Sequence, residues 1–451
     1  MQISVIGLGK LGSPLAAVLA SKGHQVIGVD LNPQFVEQIN SGLAPVAEPC
    51  LQELITCHRS RLSATLSYEE AISSSDATFV IVPTPSDSTG LFSNRFLLQA
   101  VERIGKALAQ KTTYHLVVIT STVTPGSTQN EIRETLEKHA SKSVGETLGL
   151  CYNPEFIALG SVVRNMLHPD MILIGESDSK AGDMLETIYK TVCEATPPIR
   201  RMNLINAEIT KLAVNTYVTT KISYANMLSD LCDHLPDSDA NVVAHAIGLD
   251  SRIGMKYLTP AIAFGGPCFP RDNFALSALA KKLGTNALLA EATQEINAHQ
   301  NTRLLRCITK QNHAQNIAIL GLSYKPGTYV VEESQGIQLA NQLIRQDYRV
   351  SVFDPMALEE AQKELHPSVQ IASSVTDCIT HADIIVVLIP WPEFSLEITP
   401  QLLAQFKSQK TVIDCWRILS QEQFSPVCTL IYLGCGASNV DANLQQQTLV
   451  K

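Results

Sequence analysis

In the segment Phe264-Gly265-Gly266-Pro267-Cys268-Phe269-Pro270-Arg271-Asp272, a thiol and a carboxylate stand four positions apart in a loop stiffened by two prolines. Gly265 and Gly266 allow a ligand to approach the backbone closely. Cys268, as a thiolate, is a nucleophile able to carry a covalent intermediate. A free thiol with a pKa of about 8.5 is mostly un-ionised at neutral pH, so a neighbouring cation would activate it. Upstream, Lys211 and Asn215 lie four apart in a helical pattern, hence on one face, as a cation and an amide able to grip the same oxygen. A lysine on a helix is by default a solvated side chain; the Cys268 loop tips this pair towards chemistry.

A second constellation opens the chain. Gly7-Leu8-Gly9-Lys10-Leu11-Gly12 follows an apolar strand and precedes the helix-compatible run Ser13 to Lys22. In that setting Gly7 permits the tight turn, Gly9 lets a pyrophosphate approach, and Gly12 lets the helix pack on the strand, with the helix N-terminus facing the phosphates. Asp30 ends the next strand, Gln25 to Val29, where a carboxylate hydrogen-bonds an adenosine ribose 2′-OH and repels a 2′-phosphate. These residues predict NAD as cofactor, in preference to NADP. The alternative for Asp30 is an ordinary strand-end cap.

The elements that must position these groups are strands alternating with helices, which predict an α/β chain. The pattern occurs twice. Asn316 to Leu320 ends at Gly321, Arg349 to Phe353 ends at Asp354, and Ala382 to Pro390 echoes the earlier Ser75 to Pro83. The second copy reads Gly321-Leu322-Ser323-Tyr324-Lys325-Pro326-Gly327 in place of the glycine fingerprint, which predicts a nucleotide site that no longer takes a dinucleotide. Between the copies, 206–235 lacks Gly and Pro and predicts one long helix, followed by helices over 238–247 and 273–298. The expected architecture is two Rossmann-like, doubly wound parallel-sheet domains, 1–198 for NAD and 301–451 for another nucleotide, joined by an all-helical segment, 199–300, that offers a dimer surface. The tail after Ala437 reads as polar and loose.

Composition narrows the classes. The chain has 451 residues, 45% hydrophobic and 17% charged, enough apolar material for several cores. A net charge of −9 provides no positive field for DNA or RNA, while local cations and backbone N–H groups can still hold a small anion. No run approaches a bilayer span, so no membrane association is expected. The start has no basic leader and eleven scattered cysteines form no zinc or disulfide pattern, so a reduced, cytoplasmic protein without a metal is expected.

Taken in order, the motifs resemble the UDP-glucose/GDP-mannose dehydrogenase family over nearly the whole chain. The matching pieces are Gly7 to Gly12 with Asp30, Val82-Pro83-Thr84-Pro85, Ser121-Thr122-Val123, Asn153-Pro154-Glu155-Phe156, Lys211 with Asn215, Arg252, Tyr257, Gly265 to Pro270, Asp272, and Lys325-Pro326-Gly327-Thr328. The resemblance implies oxidation of a sugar primary alcohol to a carboxylate in two hydride transfers, UDP-glucose to UDP-glucuronate being the leading expectation. Cys268 would be the nucleophile that holds the aldehyde level. Lys211 and Asn215 would stabilise the oxyanion, Asp272 and Thr122 position water, and Glu155 act as base in thioester hydrolysis. The cofactor would contact Gly7, Leu8, Gly9, Lys10, Leu11, Gly12, Asp30, Thr84 and Thr122. Glu155, Phe156, Lys211, Asn215, Tyr257, Gly265, Lys325 and Arg417 would line the substrate pocket, with Arg252 supplied by a neighbouring subunit, so at least a homodimer is implied. Without the resemblance, Thr122, Tyr257 and Arg417 read as a loop cap, a core aromatic and a surface charge.

Two stretches depart from the family pattern. After Phe156 the family continues Leu-Arg-Glu-Gly, where this chain has Ile157-Ala158-Leu159-Gly160; after Thr328 it continues Asp-Asp-Val-Arg-Glu-Ser, where this chain has Tyr329-Val330-Val331-Glu332-Glu333-Ser334. A cation and a carboxylate are replaced in the first, and an arginine by Glu332 in the second. These changes bear on which sugar is taken, and leave GDP-mannose and UDP-N-acetylhexosamines as alternatives. A two-electron 3-hydroxyacid or 6-phosphogluconate type dehydrogenase would need no cysteine, and a non-enzymatic NAD-binding scaffold would turn over nothing.

Overall fold

The computed structural model describes residues 1–311 and 314–436. The expected loose tail after Ala437 lies outside the described residues. The chain packs as two compact units, Met1–Val214 and a second that begins at Asn215.

The first unit is built on short strands, the inner ones apolar and buried on both faces and the edge strands β3 and β8 partly exposed: β1 Gln2–Ile6, β2 Gln25–Val29, β3 Leu62–Thr65, β4 Ala77–Val80, β5 His115–Ile119, β6 Leu148–Tyr152, β7 Ile172–Glu176 and β8 Ile199–Asn203. They form one eight-stranded sheet in the order β3-β2-β1-β4-β5-β6-β7-β8. The order reverses between β1 and β4, and that crevice is where open α/β sheets bind ligands. One pairing departs from the expected parallel sheet: β7 runs antiparallel to β6, with Cys151 opposite Glu176. The connection between them holds the short helix Val162–Leu167 and brings the chain back along the same edge. β8 lies within the stretch expected to be helical from residue 199.

The long helix spans Leu204–Cys232, two residues earlier than its apolar pattern alone indicates. Asn203 sets that start, its Oδ1 accepting from the Asn206 backbone N–H at 2.9 Å. The next helix, Ala240–Gly248, is capped by Asp239. The stretch expected as one helix over 273–298 is two, Phe269–Lys282 and Leu288–Thr309. Gly284, at φ +72, turns the chain after the first of them.

The second unit carries β9 Asn316–Leu320, β10 Arg349–Phe353, β11 Gln370–Ile371, β12 Ile384–Val387, β13 Lys410–Asp414 and β14 Cys428–Tyr432, in the order β11-β10-β9-β12-β13-β14. All its pairings are parallel. The duplication extends to single hydrogen bonds. Gly7 N donates to Val29 O at 2.7 Å in the first unit, and Gly321 N to Phe353 O at 2.9 Å in the second. Leu8 N donates to Asp30 Oδ2 at 2.7 Å, and Leu322 N to Asp354 Oδ2 at 2.8 Å. A Cβ on Gly12 would strike the Gly7 carbonyl, and one on Gly336 the Gly321 carbonyl. The second copy therefore keeps the turn glycine and the helix-packing glycine, now separated by a longer loop.

Among the described residues no helix is long and apolar enough to cross a membrane, and no cluster of three or more His, Cys, Asp or Glu could hold a metal ion. All eleven cysteines are free thiols.

Candidate active site

The cofactor half is built within the first unit. Gly7 turns at φ +95 directly after β1, and the helix Gly12–Ser21 follows. A Cβ placed on Gly9 would meet nothing within 4 Å, so the backbone there faces open space at a helix N-terminus. Beside it lies a cavity of about 270 Å³ lined by Gly7, Asp30, Tyr68, Val82, Phe96 and Arg103. The Arg103 guanidinium sits 5.4 Å from the Tyr68 ring centroid. An open glycine cradle, a carboxylate and a cavity with an aromatic wall fit the adenosine and diphosphate of NAD. Asp30 accepts from Leu8 N at 2.7 Å and from Asn32 N at 2.8 Å, so it serves both as the strand-end cap and as a carboxylate at the cavity wall. Tyr68, Phe96 and Arg103 escaped the sequence reading because they come from two separate helices with no common spacing.

Thr84 and Thr122 meet after β4 and β5: the Thr84 hydroxyl donates to the Thr122 carbonyl oxygen at 2.6 Å. The loop after Thr122 is anchored by Glu208 of the long helix, wholly buried, whose carboxylate accepts from Gly126 N at 2.5 Å and Thr128 N at 2.8 Å. One turn on, Lys211 is 7% exposed; its Nζ donates to the Glu155 carbonyl oxygen at 2.7 Å and lies 4.9 Å from the Phe156 ring centroid. Lys211, Glu155 and Phe156 are thus brought together. Burial pushes the Glu155 carboxyl up to about 7, against the opposing pull of the Lys211 charge. Ile157 and Leu159, where the family pattern has Leu and Glu, pack against the apolar core of this unit. Glu48 holds the same loop by accepting from Gly160 N at 2.9 Å and Val162 N at 2.7 Å.

The thiol half is built within the second unit. Cys268 is exposed and is the N-cap residue of the helix Phe269–Lys282, with Pro270 in its first turn. The helix dipole favours negative charge at that position. Asp272, 1% exposed, lies one turn along, and Asn215 Nδ2 donates to its Oδ2 at 2.6 Å. The loop before Cys268 is clamped by two buried amides. Asn226 accepts from Ala261 N at 2.9 Å and donates to Ile262 O at 2.8 Å; Asn297 accepts from Phe264 N at 2.8 Å and donates to Phe264 O at 2.9 Å. Nothing local marks Asn226 or Asn297 in the sequence, since each acts on a distant backbone.

The two glycines of this loop also make room for the chain itself. A Cβ on Gly265 would strike the Glu333 carbonyl, and one on Gly266 would lie 2.6 Å from the Tyr324 ring. Gly266 N also donates to Glu332 O at 2.9 Å. The chain's own 324–333 loop, carrying Lys325, lies against both glycines, and Glu332 takes part through its backbone.

Three further expected residues stand apart from this cluster. Arg252 is 86% exposed and paired with Asp250 at 2.6 Å. Tyr257 is 50% exposed at φ +67, not a core aromatic. Arg417, expected to reach a ligand, donates to Asp239 at 2.7 Å and to the Leu433 carbonyl at 3.0 Å. Asp354, the counterpart of Asp30, is 1% exposed and accepts from Leu322 N, Ser323 N, Ser323 Oγ, Trp391 Nε1, Met356 N and Ala357 N. Its carboxylate is consumed by the fold.

Comparison with known proteins gives three matches along the chain. Residues 1–193 match the NAD binding domain of the UDP-glucose/GDP-mannose dehydrogenase family, 205–299 its central domain and 318–421 its UDP binding domain. A UDP-glucose 6-dehydrogenase of Haloferax volcanii is 35% identical, over 94% of this chain and 98% of that protein. A GDP-mannose 6-dehydrogenase of Azotobacter vinelandii is 32% identical, over 92% and 96%. The solved structure of a UDP-glucose dehydrogenase from Pyrobaculum islandicum is similar with a TM-score of 0.84 at 32% identity, over 95% of this chain and 96% of that one. With all three domains matched and relatives of this identity along nearly its full length, the chain belongs to the UDP-glucose/GDP-mannose dehydrogenase family, whose members use NAD.

Proposed function

We propose that this protein oxidises the C6 hydroxymethyl group of UDP-glucose to a carboxylate, using two NAD and one water, with Cys268 as the covalent carrier. The observation that carries this reading is an exposed thiol at the N-cap of a helix whose first turn holds the buried Asp272, itself gripped by Asn215. A two-electron dehydrogenase has no use for that arrangement. NAD, when bound, supplies the hydride acceptor for both oxidations. Gly7, Gly9, Gly12 and Asp30 would hold its adenosine diphosphate, with Leu8, Lys10 and Leu11 in the same turn and Thr84 and Thr122 towards the reacting end.

The remaining roles belong to the chain. The Cys268 sulfur adds to the C6 aldehyde carbon, and the resulting oxyanion is stabilised by Lys211 and the Asn215 amide. Asp272 and Thr122 order the water that takes up and returns the alcohol protons. After the second oxidation the sulfur holds a thioester. Water attacks its carbonyl carbon, Glu155 accepts a water proton, and the C–S electron pair returns to Cys268. A base with a pKa of about 7 is matched to this task at neutral pH.

UDP-glucose is preferred as substrate because the 35% identical relative and the 0.84 TM-score neighbour carry that name. GDP-mannose is the second reading, favoured by the 32% identical Azotobacter vinelandii relative. Phe156, Tyr257, Gly265 and Lys325 would line the sugar nucleotide's site. Arg252 would act across a homodimer; its side chain extends into solvent, and Tyr217, Leu231, Val242 and Leu249 expose 55–69% of their surface nearby in sequence. The expected setting is cytoplasmic supply of UDP-glucuronate for polysaccharide. A panel of UDP-glucose, GDP-mannose and UDP-N-acetylhexosamines with NAD tests the reading: UDP-glucose should yield two NADH per sugar. One NADH per sugar, or turnover of a different sugar alone, would contradict it.

A further inference from the structure

Among the described residues no cation is bonded to the Glu155 carboxylate: Lys211 donates to the Glu155 backbone carbonyl. Its side-chain partner is Tyr189, on the helix Ser179–Val192 and 6% exposed. Tyr189 Oη lies 3.3 Å from Glu155 Oε1 and 2.5 Å from Asn153 Oδ1. That hydroxyl has one proton for two acceptors. The amide of Asn153 decides between them. Its Nδ2 donates to the Leu173 carbonyl at 2.8 Å, and a carbonyl can only accept, so the oxygen end of the amide must face Tyr189. The tyrosine proton goes to this nearer acceptor, and the lone pair of Oη faces Glu155.

We propose that Tyr189 is a positioning residue for Glu155 that accepts, through its hydroxyl oxygen, the hydrogen bond of the protonated carboxyl. This rests on the reading of Glu155 as the base of thioester hydrolysis. In that step a water oxygen bonds to the acyl carbon, the C–S electron pair returns to sulfur, and a water proton moves to Glu155. Tyr189 then receives the hydrogen bond of the carboxyl just formed, so it stabilises the protonated side of the transfer. Burial acts in the same direction on Glu155 and keeps the Tyr189 hydroxyl itself protonated, far above its usual range. The other titratable groups facing Glu155 are Cys193, whose thiol burial pushes up to about 11, and Lys211, whose bond is to the backbone oxygen.

The test is a difference-infrared titration of the Glu155 carboxyl, referenced to Glu155→Gln, in the intact protein, Tyr189→Phe and Asn153→Ala. Tyr189→Phe removes the acceptor and should move the titration to lower pH. Asn153→Ala frees the hydroxyl proton to bond the carboxylate and should also move it lower. A shift to higher pH in Tyr189→Phe, or no shift in either variant, would overturn the proposal. With nucleotide sugar and NAD, Tyr189→Phe should lower kcat about ten-fold with KM little changed, the loss of one hydrogen bond to the reacting group. Infrared shifts as expected with a kcat profile that ignores them would leave the Tyr189 relationship standing and remove Glu155 as the base.

Discussion

Asn215 donates its side-chain N–H to Asp272 at 2.6 Å, joining the long helix to the first turn of the helix that Cys268 caps. The amide fixes which face of a buried carboxylate is available for chemistry. Asn215→Ala should therefore remove one donor from Asp272, costing about 1–3 kcal/mol of stability and lowering kcat about 100-fold. Urea unfolding and steady-state kinetics check the two parts. Asn215→Asp sets two carboxylates against each other and should be worse in both.

Asp30 caps a strand and also borders the cavity assigned to adenosine. Asp30→Ala should raise KM for NAD ten-fold or more and relax the discrimination against NADP. Asp354→Asn, at the equivalent place in the other sheet, should lower the unfolding midpoint and leave KM for NAD unchanged. Initial-rate measurements with both cofactors separate the two carboxylates.

The contrast between these aspartates shows what the sequence could and could not reveal. The repeat of strand, glycine and aspartate was legible from local pattern, as were the long helix and the cofactor turn. What each aspartate does depends on neighbours far along the chain, such as Trp391 for Asp354. The same limit hid Tyr68, Phe96, Tyr189, Glu208, Asn226 and Asn297, which act through the fold without a motif. It also concealed the use of Gly265 and Gly266, whose missing side chains make room for Tyr324 and Glu333. The helix break at Gly284 was visible as a glycine and outweighed by the apolar periodicity around it.

Glu155 gives a pH dependence of defined sign. Its carboxyl titrates at about 7 in the folded chain against an ordinary 4.5, so between these values the folded state holds the proton more tightly than the unfolded one. Its contribution therefore favours folding at low pH and is lost as pH rises from about 4.5 to 7, a change of about 3 kcal/mol. Glu155→Gln, which keeps the shape without the charge, should be more stable than the native chain at pH 8 while losing most turnover. Thermal melts at pH 5 and pH 8 on both proteins provide the check.

Gly266 combines a positive φ of +85 with the Tyr324 ring 2.6 Å from where a Cβ would stand. Gly266→Ala should cost about 2–4 kcal/mol through backbone strain and the displaced ring. Because this loop leads directly into Cys268, kcat should fall as well. Tyr324→Ala in the same chain should recover part of the stability, since it removes the clash and leaves the strain.

The most direct test of the account is peptide mass spectrometry of the protein quenched during turnover with UDP-glucose and NAD. The peptide that contains Cys268 should gain the mass of the sugar-nucleotide acyl group, more strongly in Glu155→Gln, where hydrolysis is slowed. A Cys268 that stays unmodified at every time point while two NADH form per sugar would contradict the covalent route.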